Sequence, residues 1–161
     1  MNGHEKFKAV VIACQDGRLG ETNAEWFKKL REGGAVDTIL VPGGIQELVL
    51  WYDGNPICQF VAWFLGFFGV YVSSVMRGLE VSIKLHGIKE IYFEQHEDCG
   101  AVGGSSAFKS EADELGFHRN LMVQAEQIVG RRFGDAGLTI RFKYVRKLKG
   151  TSWEIIGLNR N

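Results

Sequence analysis

Proline is nearly absent from this chain, 2 in 161 residues, and cysteine is sparse at 3. So small and odd a cysteine count supplies no disulfide framework and points to a reducing, cytoplasmic setting. An excess of one charge is missing too: 19 Lys and Arg stand against 19 Asp and Glu, leaving no broad basic surface to neutralise nucleic-acid phosphates. Long hydrophobic runs are also lacking. The most apolar stretch, residues 60–72, spans 13 residues, short of the ~18–20 that cross a bilayer. The opening Met1-Asn2-Gly3-His4-Glu5-Lys6 leads into no signal-peptide core. Neither nucleic acid nor membrane is therefore an expected partner. What the chain does have is apolar area, 45% hydrophobic residues with 11 Phe, 4 Trp and 4 Tyr. That is enough for one domain over residues 1–161 to bury roughly 68–70% of its unfolded surface. The 21 glycines, with so little proline, predict tight turns and close backbone approaches.

Short β-branched and aromatic runs predict strands at 7–13, 36–41 and 88–93. Over 138–145, apolar and charged side chains alternate, which predicts a half-exposed edge strand, its lysines and arginines solvated. Helical spacing covers 21–32, with Trp26, Phe27 and Leu30 on one stripe; 56–86; and 117–132, with Leu121, Met122, Ala125, Ile128 and Val129. Strand alternating with helix predicts an α/β fold, a mostly parallel β-sheet of about four strands flanked by helices. Within the central helix Phe60, Trp63, Phe64, Phe67, Phe68 and Tyr71 form an aromatic stripe, and the other faces are apolar as well. Such a helix is either the middle of the core or the interface of a homodimer or higher homo-oligomer.

The chemistry-bearing residues lie at strand ends, where open α/β sheets place their ligands. After the first strand comes Cys14-Gln15-Asp16-Gly17-Arg18; in extended chain, residues i, i+2 and i+4 point the same way. After the third comes His96-Glu97-Asp98-Cys99-Gly100, whose His-x-x-Cys spacing brings an imidazole and a thiolate to one ion. Cys14, His96 and Cys99 together make a Cys₂His set with a fourth position open, the pattern of a catalytic zinc. Asp16 can pair with Arg18 or swing onto the metal, and only the first leaves room for water. Cys58, inside the apolar helix, reads as packing, and His4, His86 and His118 read as isolated surface or capping residues. Gly100-Ala101-Val102-Gly103-Gly104 matches neither a dinucleotide fingerprint nor a phosphate-binding loop.

Cys14-x-Asp16-x-Arg18 followed far downstream by His96-x-x-Cys99-Gly100 resembles the paired signature of the β-class carbonic anhydrases. The likeness extends to Val36–Gly44, to Ser74–Ala101 and to Tyr144–Ile156, about two-thirds of the chain. It implies Zn²⁺ held by Cys14, His96 and Cys99, with Asp16 and Arg18 orienting the metal's water and helping to accept its proton. It also implies reversible hydration of carbon dioxide to bicarbonate, an additional edge strand or hairpin at the C-terminus, and a dimer with the pocket at the subunit boundary. Two stretches depart from the pattern. Leu40-Val41-Pro42-Gly43-Gly44 stands where the family commonly has Arg-Asn-Ala-Gly, and residues 47–68 are unusually aromatic. A dry, aromatic approach would suit relatives that hydrolyse carbonyl sulfide or carbon disulfide; a non-catalytic zinc-binding module is the remaining alternative.

Overall fold

A computed structural model describes residues 7–160 except 55, 69, 71 and 135; His4, Gly69 and Tyr71 lie outside the described residues. Five strands form one sheet in the order β2-β1-β3-β4-β5. Strands β1 (Phe7–Cys14), β2 (Ala35–Val41), β3 (Glu90–His96) and β4 (Thr139–Lys147) run parallel, and β5 (Trp153–Leu158) closes an antiparallel hairpin on β4. The expected α/β architecture and its C-terminal hairpin are both present.

The two central strands are apolar because both their faces are covered. Ala9, Val11 and Ala13 pack under helix α1 (Gly20–Arg31) against Phe27 and Leu30. Val10, Ile12, Ile91 and Phe93 face the larger core, closed by α2 (Gln46–Val49), α4 (Ser74–Lys84) and α5 (Glu111–Phe133). Burial of continuous β-branched runs on both faces is what a parallel sheet demands.

Three expectations are corrected. The alternation in β4 does not mark an edge, since β5 covers that side and the edges are β2 and β5. It reports a strand with one covered face: Ile140, Phe142 and Tyr144 are buried on it while Arg141 on the other face stays exposed and Lys143 half-exposed. The helix expected over 56–86 is two, α3 (Pro56–Phe67) and α4, because Ser73 takes an extended conformation and caps α4 by accepting from the Met76 amide at 3.2 Å. A turn of π-helix over Leu50–Gly54 leads into α3. Nor does His86 stand alone: its Nδ1 lies 2.7 Å from Asp37 Oδ2 and its ring stacks on Phe7.

The outer surface of α3 is not core. Trp63 is 68% exposed and Phe67 81%, with Phe60, Phe64 and Phe68 exposed beside them; Ala62 is its buried contact. The reading of this helix as the centre of the core is therefore overturned. Among the described residues, no helix is long and apolar enough to cross a membrane.

Candidate metal centre

β1 and β3 are hydrogen-bonded parallel neighbours, so their C-terminal ends fall side by side. Cys14 is the last residue of β1 and His96 the last of β3, so the strands run one and three residues further than the sequence pattern suggests. Cys99 follows as the cap of a 3-10 turn over Gly100–Val102. All three are buried, and their ligand atoms lie within 4.8 Å of one another.

The surroundings orient these atoms. His96 Nδ1 donates to the Glu97 carbonyl at 2.8 Å, which places the free lone pair on Nε2, a buried atom with no hydrogen-bond partner. The Gly43 amide donates to Cys14 Sγ at 3.4 Å. Its approach requires glycine: Gly43 has φ +71°, and a Cβ there would sit 2.4 Å from Gln46 Oε1. Hydrogen bonding from Cys99, working against burial, holds the Cys14 thiol far below its ordinary value. The same contact, with burial, pushes Cys99 up. Burial opposes a charge on His96, yet Cys14, the Glu97 carbonyl and Asp16 outweigh it and raise the imidazole. A thiolate favoured at Cys14 beside the His96 nitrogen is a donor pair that suits a cation. Two sulfurs and one unpartnered imidazole nitrogen fit a soft divalent metal.

Beside the cluster, Asp16 caps the 3-10 turn Gly17–Leu19 and accepts the Arg18 amide at 2.9 Å. That turn, rather than the pleat of an extended strand, brings Arg18 back onto Asp16. The guanidinium forks onto the carboxylate through Nε and Nη2 at 2.6–3.1 Å. Arg18 consequently holds the Asp16 carboxyl well below the usual range, at about 2. Asp16 Oδ2 is 4.0 Å from His96 Nε2, so of its two possible states the carboxylate here adopts the pairing with Arg18. Trp153 of β5 lies beneath Arg18 and edge-on to His96.

Other participants carried no spacing signal. Arg18 also donates to the Asp98 carboxylate and carbonyl, both at 2.7 Å. Behind His96, Glu94 is fully buried and accepts from Asn23 at 2.9 Å; burial raises its carboxyl to about 7, with Asn23 opposing. His118, expected at the surface, is fully buried instead, its Nδ1 3.1 Å from Gln95 Oε1. Burial depresses its pKa to about 4. The helical spacing of Glu114 and His118 was the available trace, but polar residues four apart on a helix ordinarily mean a solvated face.

The fold is that of the β-carbonic anhydrases. A structure of β-carbonic anhydrase isoform I from Trichomonas vaginalis superposes with a TM-score of 0.59 over 98% of this chain and 85% of that one, at 18% identity. Two tetrameric β-carbonic anhydrases from Sordaria macrospora give a TM-score of 0.55, 98% and 85% coverage, and 11% identity. No family model matches the sequence. An uncharacterized protein of Rickettsia conorii is 24% identical over 127 residues, and the matched region spans 77% of this chain and 60% of that relative's length.

Proposed function

We propose that this chain is a zinc enzyme hydrating carbon dioxide reversibly to bicarbonate and a proton. One observation carries the reading: the convergence of Cys14, His96 and Cys99 beside a paired Asp16 and Arg18. Cys14, His96 and Cys99 would hold the metal. Bound zinc supplies a Lewis acid that brings the pKa of a water to ~7. The chain's own residues do the rest. Asp16, kept ionised by Arg18 throughout the neutral range, is an acceptor that can orient an O–H of the attacking water. Paired with Arg18, that carboxylate would stay off a bound metal and leave a coordination position open. His96 is held in one tautomer by Glu97. Stopped-flow hydration with measured zinc content tests the reading: activity of the zinc protein no higher than that of Cys14→Ser overturns it. Sulfide release from carbonyl sulfide, without hydration of carbon dioxide, would transfer the same residues to a hydrolase.

The partner is a second copy, seated on α3. No charged side chain occurs between Asp53 and Arg77. The exposed rings of Phe60, Trp63, Phe64, Phe67 and Phe68 together present on the order of 700 Å². One partner of a standard stable interface contributes about 800 Å². A self-complementary aromatic face of that size suits a two-fold contact.

A further inference from the structure

We propose that Glu114 is a positioning residue for the Asp16–Arg18 pair, acting through the backbone of Asp98. The inference rests on the reading of that pair as the working acceptor of the site.

Glu114 lies in the first turn of α5, buried. Both of its oxygens are engaged. Oε1 accepts the Asp98 amide at 2.7 Å, and Oε2 accepts the Ser105 hydroxyl at 2.7 Å. Ser105 in turn donates its amide to Asp98 Oδ1 at 3.1 Å. These bonds enclose a residue in an unfavourable conformation: Asp98, at φ +56°, is the one non-glycine with positive φ among the described residues. A non-glycine side chain in the left-handed region is uncommon and persists where its neighbours over-determine it.

The conformation has a consequence at the site. It turns both the Asp98 carbonyl and Oδ2 towards Arg18, whose Nη2 and Nη1 donate to them. The remaining edge of the guanidinium forks onto Asp16. Arg18 is thus gripped from two sides although nearly half its side chain is in solvent. Take away the acceptor for the Asp98 amide and the left-handed turn has less to hold it; once it relaxes, the carbonyl swings off Arg18. An Arg–Asp pair that exposed holds only weakly unaided. Asp16 then becomes free to move the short distance onto the metal position. Glu114 touches neither Arg18 nor Asp16, so its influence on them is a property of this relay and not of direct contact.

The test is nuclear magnetic resonance of the Arg18 side chain, in wild type, Glu114→Ala and Glu114→Gln. In the wild type the doubly gripped guanidinium should rotate slowly about its Cζ–Nε bond, giving resolved Nη protons. Glu114→Ala should rotate at least tenfold faster, and Glu114→Gln, which keeps one acceptor oxygen, should fall between. Amide exchange at Val10–Ile12 in β1 should stay unchanged, which separates a local release from general loosening. An unaltered Arg18 rotation rate in Glu114→Ala, or one that rises only in step with β1 exchange, overturns the proposal. Should Glu114→Ala not fold, Glu114→Gln decides: a rate equal to wild type overturns it, a faster one with intact β1 protection supports it. The measurement uses neither added metal nor turnover, so its failure is distinguishable from failure of the hydration reading.

Discussion

The ends of β1 and β3 and the outer face of α3 are two concentrations of unusual residues that the fold treats in opposite ways. At the strand ends, the buried Cys14 and His96 and the half-exposed Arg18 are engaged within the one chain: Gly43 on Cys14, Glu97 on His96, Asp98 and Asp16 on Arg18. On α3, large aromatic rings stand in solvent, packed on one another. Burying polar groups costs free energy unless they find partners, so the first region carries a dense network, with His96 Nε2 left unpartnered towards the other ligand atoms. Exposed rings need no hydrogen bond; what they lack is cover, and that can come from another molecule. The comparison predicts that the two regions fail independently.

The sharpest break should come at the strand ends. Cys14→Ser removes one of three donors, and zinc affinity should fall on the order of 10³-fold or more, with hydration near background in stopped-flow assays and the oligomeric state by light scattering unchanged. On α3 the reverse is expected. Glu at both Trp63 and Phe67 places charge in the middle of the apolar face and should weaken self-association on the order of 10²-fold, turning a dimer into a monomer in sedimentation while zinc content by elemental analysis stays the same. A dimer that survives this double change would remove α3 from the interface.

Buried polar groups also make the first region sensitive to pH. His118 has an unfolded pKa near 6.5 and a folded one depressed to about 4 by burial. The unfolded chain therefore binds the proton more readily, so this stability is fully present above pH ~6.5 and is lost as pH falls towards 4. The full shift corresponds to about 3 kcal/mol. Urea midpoints should drop over that window and drop less in His118→Gln; identical pH profiles for the two proteins would count against the buried neutral imidazole. The smallest effect belongs to Asp16→Asn, which preserves shape but weakens the acceptor. Hydration should fall on the order of 30-fold at neutral pH, with zinc content and association unchanged.

Much of this was legible before any coordinates. Cys14, Asp16 and Arg18 sit within one short segment, and His96 and Cys99 within another, each at the end of an apolar run that could only be a buried strand. Local spacing carried them because strand ends and tight turns are local structures. Asp98, Glu94 with Asn23, and Glu114 with His118 were not legible in the same way. Each depends on a helix packing against the sheet from elsewhere in the chain, and a buried Glu or His on a helix has the same sequence pattern as a solvated one. The split of 56–86 into α3 and α4 was recoverable in principle from Ser73 as a capping residue, but apolar periodicity runs through the break and hides it.

The sequence by itself determined the α/β alternation, the parallel central strands and the two segments that carry Cys14 and the His96–Cys99 pair, because periodicity and spacing are properties of neighbouring residues. Only the tertiary structure decided that Arg18 answers to Asp98 as well as to Asp16, that His118 is interior, and that the aromatic side of α3 is outside. A helix that is apolar all round satisfies the same pattern in a core and at a surface. The difference lies in which neighbours the rest of the chain brings against it.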